Sequence, residues 1–233
     1  MHSLLGFVIS MLLVFRTNTA YDRWWEGRKQ WGSLINVSRN LSLKINAMLP
    51  AEMEKERAFF RKMIPNYATA LKNHLRTKLI KDELEETDGF LLHKISQETH
   101  VPNLIASLLF KKLFELQKKG TLLPEHLLLL NNEFESLTNI CGACERIKNT
   151  PIPLSYSSFI KKFIFLYCMT LPIGYVFSLH WWIVPFVMFV FYILASLEVI
   201  AEEIEDPFGL DSNDLPIERI CKGVKNSAIE LIC

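Results

Sequence analysis

The sequence predicts an all-α membrane protein, and three observations carry that prediction. Residues Phe163 to Leu197, 35 in a row, contain no Asp, Glu, Lys or Arg. The opening stretch Ser3 to Phe15 is apolar and runs without a proline into the charged, Trp-rich stretch Arg16 to Gly32, as a single rod leaving a hydrocarbon layer for water would do. No strand-period segment, internal repeat or Gly-rich loop interrupts the helical patterns. Composition agrees, since 50% of the 233 residues are hydrophobic and they concentrate at the two ends of the chain. A net charge of +1 excludes the one-sided basic excess of a nucleic-acid footprint, so no nucleic-acid partner is expected. The five cysteines (Cys141, Cys144, Cys168, Cys221 and Cys233) form no disulfide framework, and reduced thiols are expected.

Taken in order, Met1 to Phe15 is shorter than the roughly 20 residues that span a bilayer. It also lacks the basic leader and small-residue cleavage site of a secretory signal. At about 100° per residue, Leu4, Phe7, Met11 and Phe15 share one face of this helix. Ser3, Gly6, Ser10 and Thr17 make a second face of small residues, expected to pack closely on a neighbouring helix while the bulky face points elsewhere. The helix continues from Arg16 to about Met48, with Trp24, Trp31, Leu34, Ile35, Leu41 and Ile45 as its apolar stripe. Pro50, with Glu52 and Glu54 after it, marks a stop and a new start. The second helix is expected to reach about Arg76, interrupted or kinked at Pro65.

Lys81 to Gly89 is polar and reads as a surface link. Phe90 to Gln97 and Asn103 to Lys118 read as short amphipathic helices, and Pro124 opens another that ends near Lys148. The charge-free run is too long for one span of a core roughly 30 Å thick, and it fits a hairpin of two. The turn is expected near Ser178 to Trp182, where Trp181 and Trp182 suit a membrane interface. Lys161 and Lys162 precede the hairpin, and Arg16, Arg23, Arg28 and Lys29 follow the opening span. Positive charge favours the cytoplasmic side, so both hairpin ends and the middle of the chain are expected there. Pro172 and Pro185 are tolerable inside buried spans.

Past Leu197, Glu198, Glu202, Glu203, Glu205, Asp206, Asp211 and Asp214 place seven acids within 17 residues, with no Lys or Arg among them. The organisation expected is a membrane helix over 1–20, a cytosolic helical region over 21–156, a transmembrane hairpin over 157–200 and an acidic cytosolic segment over 201–233.

Among side chains that could carry chemistry, Cys141 and Cys144 form a C-x-x-C pair without a second pair or a suitably spaced His, so core thiols are the expectation. His74, His93, His100, His126 and His180 are scattered and read as surface or capping residues. Asp206, Asp211 and Asp214, with Glu203, offer the oxygen ligands that a hard cation such as Ca²⁺ prefers. Asp211-Ser-Asn-Asp214 is equally a good turn and helix cap before Leu215. Arg16, Arg23 and Arg28 alternate with Asp22 and Glu26 along one helix, which favours pairing over an anion-drawing patch.

Three stretches carry a resemblance. Phe15-Arg-Thr-Asn-Thr-Ala-Tyr-Asp-Arg-Trp-Trp-Glu-Gly-Arg28, Asn149-Thr-Pro-Ile-Pro-Leu-Ser-Tyr156 and Ile204-Glu-Asp-Pro-Phe-Gly-Leu-Asp-Ser-Asn-Asp-Leu-Pro216 resemble, in the same order, signatures of the bestrophin family in its prokaryotic branch. The resemblance implies a homopentamer of helical subunits in the cell (inner) membrane, conducting small monovalent ions passively along the five-fold axis. It implies no catalysis and no resident cofactor.

The family has a further membrane helix before this point, so its absence here is expected to reflect a late or misassigned start. The resemblance places the family's neck at Phe7, Met11 and Phe15, where rings of five apolar side chains would gate by dewetting. It places a second, cytosolic constriction near Glu125, where relatives usually carry a small apolar residue. Five carboxylates there would attract cations, and the competing reading is a solvated first-turn Glu. It also places the calcium clasp of regulated relatives at Glu203, Asp206, Asp211 and Asp214.

Two other functions compete. A membrane-bound carboxylate-metal enzyme would use Glu198, Glu202, Glu203 and Asp206, but it normally needs Glu-x-x-His pairs, and none occurs. The other is a non-conducting structural protein. The resemblance spans both anion and cation channels, so selectivity stays open.

Overall fold

A computed structural model describes residues 2–77, 80–87, 90, 92–96 and 99–232, apart from the Lys94 side chain. Seven α-helices account for most of the described chain: α1 (His2–Met48), α2 (Glu54–Leu75), α3 (Val101–Lys118), α4 (Pro124–Asn149), α5 (Leu154–Leu179), α6 (Ile183–Glu205) and α7 (Ile217–Leu231). No strand occurs among the described residues, only an isolated bridge between Thr87 and Phe90.

The helices form two units. One takes 1–26 and 149–215, hence the first half of α1 with α5 and α6. The other takes 27–148 and 216–233, hence the second half of α1 with α2, α3, α4 and α7.

In the first unit, α5 and α6 form the expected hairpin. It turns at His180, whose φ of 46° ends α5, and a 3₁₀ turn over His180–Trp182 leads into α6. Ile9 and Leu13 of α1 pack on Ile160, Ile164 and Cys168 of α5. The small-residue face is not the packing face, because Ser3 and Ser10 are exposed. Ser10 satisfies its hydroxyl on its own helix, donating to the Gly6 carbonyl at 2.8 Å. Of that set only Gly6 serves a close approach, since a Cβ there would sit 3.0 Å from the Tyr167 hydroxyl. Complementary apolar bulk supplies the rest of the contact.

The second unit is built like a soluble bundle. Trp31, Leu34, Leu41 and Ile45 of α1 are fully buried, with Phe60, Met63 and Tyr67 of α2 and Phe134 of α4. Helix α2 packs against α3 and α7. The carbonyls that end α1 are gathered by Arg57, which is 6% exposed. It donates to Asn46 O and Pro50 O, both at 3.1 Å, and to Leu49 O. A cation at a helix C-terminus satisfies orphan carbonyls and the helix dipole together.

Three expectations change here. Helix α2 is not interrupted at Pro65, which is buried between buried Ile64 and Asn66; packing on both sides outweighs a lost hydrogen bond that costs about 3 kcal/mol in an isolated helix. Phe90 to Gln97 is not a helix: Phe90 pairs with Thr87, and only Leu92–Lys94 makes a 3₁₀ turn, while Leu91 and Gln97 lie outside the described residues. A segment that short cannot repay helix nucleation. Helix α7 was read only as part of an acidic tail, yet Ile217, Ile220, Cys221, Val224 and Ala228 make a buried helical stripe.

Candidate channel-lining site

Helix α1 positions the site because it has two unlike sides. Gly6, Ile9, Leu13, Arg16 and Ala20 recur at helical spacing on the inward side, and all but Gly6 are buried. Phe7, Met11 and Phe15 project from the opposite side and are 66%, 49% and 54% exposed, with Leu4 beside them at 67%. All three expected neck residues therefore share one uncovered face. A row of large apolar side chains left open on one chain is costly in water, and a partner surface is the usual remedy.

The buried side of α1 is clamped by charge beyond Leu13. Arg16 is 1% exposed; one guanidinium nitrogen donates to Glu205 Oε2 at 2.7 Å, while Nε lies 3.7 Å from Glu198 Oε1. The other Glu205 oxygen accepts the Ile152 N–H at 2.7 Å, and Arg23 donates to the Glu205 and Thr150 carbonyls. One cluster thus ties α1 to the end of α6 and to the Pro-Ile-Pro link before α5. The pairing expected for Arg16 with Asp22 or Glu26 of its own helix is replaced by partners 182 and 189 residues away. Burial explains this: a desolvated guanidinium needs carboxylates that are themselves shielded, whereas Asp22 is exposed. Arg16 and Glu205 lie in two of the three quoted motifs, which was the only signal in sequence that they belong together.

Glu125 sits in the first turn of α4, exposed, beside Leu123, Leu128 and Leu129, which are exposed as well. The acidic loop is folded as a turn. Asp214 Oδ2 accepts the Asp211 N–H at 2.6 Å, Asp206 Oδ1 accepts the Phe208 N–H at 3.3 Å, and Glu203 accepts from the Asn213 amide at 2.6 Å. The turn expected of this loop is thus present, but the cap is not: Pro216 precedes the first turn of α7 and no side chain caps it. Among the described residues Glu203, Asp206, Asp211 and Asp214 do not gather as a ligand set; only His74, His100 and Glu145 do. Cys141 and Cys144 are buried thiols in the second unit's core. Burial pushes the Cys141 thiol up to about 12.

The fold and this face define an all-helical membrane protein with one uncovered apolar face on α1. Two helical stretches, in α1 and over 154–205, are long and apolar enough to cross a bilayer, and in the second the most apolar window is only 11% buried. A core helix of a soluble protein would be mostly buried, so lipid is the medium these side chains suit.

Comparison with known proteins narrows the class to one family. The family described as bacterial/fungal bestrophin matches residues 1–230. The voltage-dependent anion channel-forming protein of Nostoc is 39% identical over 232 residues, covering 96% of this chain and 74% of the relative. The proteins of the same description in Synechocystis and Escherichia coli are 34% and 32% identical, each covered over 75% of its length. Crystal structures of a bacterial bestrophin homologue from Klebsiella pneumoniae align with a TM-score of 0.90 at 29% identity, over 99% of this chain and 86% of theirs. The chain belongs to the bacterial/fungal bestrophin family, whose members are ion channels and not enzymes.

Proposed function

We propose that the chain is the subunit of a homopentameric channel in the cell membrane that passes small monovalent ions, anions foremost, down their gradient. The observation that carries the reading is the uncovered row Phe7, Met11 and Phe15, set opposite the buried row of α1. Five copies facing one axis would cover these side chains with each other and leave a narrow apolar tube. An ion cannot keep its hydration there, so small changes in width open or close the path.

The names of the Nostoc, Synechocystis and Escherichia coli relatives support anions as the cargo. Glu125 works in the other direction, because a ring of carboxylates in an aqueous vestibule repels them, and neutralising it should strengthen anion preference. Lys161 and Lys162, near the start of α5, support a cytosolic location for the hairpin's two ends and for the second unit. Purified protein in planar bilayers under a chloride gradient tests the reading. The expected result is a conductance reversing toward the chloride potential, with more time spent open when Phe7, Met11 and Phe15 are replaced by Ala. Silence from both the parent and the triple variant would remove it.

A further inference from the structure

Three helices of the second unit converge on one point that conduction does not use. His74 lies in the last turn of α2, His100 is the N-cap of α3, and Glu145 is on α4. Both imidazole Nε2 atoms lie 2.7 Å from the same carboxylate oxygen, Glu145 Oε1. The two rings are 4.4 Å apart, and the three donor atoms all lie within 4.8 Å of one another. About a third of each side chain is open to solvent, enough for an ion to enter and keep a water.

The geometry points to a Zn²⁺-class divalent transition-metal site formed by His74 Nε2, His100 Nε2 and a Glu145 carboxylate oxygen. The chemistry of the donors suits that class. Imidazole nitrogen and carboxylate oxygen bind zinc at about 2.0–2.2 Å, and three protein ligands leave a fourth position for water. Tetrahedral ligand atoms around zinc sit about 3.3 Å apart, so each Nε2 must draw back from Glu145 Oε1 by about 0.6 Å to admit the ion. Hard cations such as Ca²⁺ or Mg²⁺ take all-oxygen sets and are disfavoured by two imidazoles.

One existing contact competes. His100 Nδ1 accepts the Asn103 N–H at 3.2 Å, capping α3. A metal on Nε2 moves the ring proton to Nδ1, so His100 gives up that long cap bond when it binds the ion. The ion would join the end of α2 to the start of α3 across the connection between them, and both to α4, tightening the part of the second unit with the least helix.

The test uses tag-free protein in detergent, stripped with chelator and titrated with Zn²⁺ alone. We expect one Zn²⁺ per chain and a rise in Tm on binding. His100→Asn is the informative variant, since Asn is a good N-cap and keeps the start of α3 while removing the ligand. It and Glu145→Gln should each lose the bound Zn²⁺ and the Tm rise, whereas His93→Ala, at an exposed position outside the cluster, should keep both. A bound Co²⁺ should give a visible absorption band that vanishes in His74→Ala. Absence of Zn²⁺ binding in the parent protein, or Zn²⁺ binding retained in well-folded His100→Asn and Glu145→Gln, would overturn the assignment.

Discussion

The two units of this chain place apolar and polar side chains in opposite ways. In the second unit, large apolar residues are inside: Trp31, Phe60, Tyr67 and Phe134 are at most 1% exposed. In the first, they are outside. Ile173, Phe177, Phe189 and Tyr192 are 62–88% exposed, while Arg16 and Glu198 are 1% and 2% exposed. A chain obeying one solvent would not do both. The contrast teaches that the first unit keeps opposite charges together away from hydrocarbon, while the second removes apolar surface from water.

The largest effect that sharpens this contrast should come from the water-side core. Trp31→Ala removes the largest fully buried side chain and should cost about 3–5 kcal/mol, read as a marked fall in Tm in detergent. Arg16→Ala comes next. It strands the Glu198 and Glu205 carboxylates, at a cost of about 3 kcal/mol, and Arg16→Met combined with Glu198→Gln and Glu205→Gln should recover much of it. If Arg16→Ala were harmless, the buried ion pairs of Arg16 would not be what holds α1 to α6. The smallest effect is expected from Phe177→Ala. That side chain is 88% exposed, and detergent replaces lipid around it, so Tm should move by less than the equivalent of about 0.5 kcal/mol.

Much of the fold was legible in sequence for a simple reason. Solvent preference is written residue by residue, and Phe163 to Leu197 announces lipid without any tertiary information. The break at His180 was legible because a charge-free run that long must turn. The uncovered face of α1 was legible as well, since Phe7, Met11 and Phe15 share a side at helical spacing. Pairings between distant segments were not. Nothing local ties Arg16 to Glu205, or His74 to His100 and Glu145, because these contacts exist only once helices far apart in sequence are packed. Helix α7 was missed because the acids before it masked the stripe from Ile217 to Ala228. The extent of α2 was legible, but that it is not interrupted at Pro65 was not, because propensity there yields to burial on both sides.

The central claim is that one side of α1 faces the ion path and the other faces protein. Cysteine substitution read in bilayer recordings tests it most directly, in a background where Cys233 is replaced by Ser and the described cysteines Cys141, Cys144, Cys168 and Cys221 are buried. A charged thiol reagent should abruptly change the current through Met11→Cys channels and leave Ile9→Cys channels unaltered. Currents that respond equally at both positions, or only at Ile9→Cys, would contradict it.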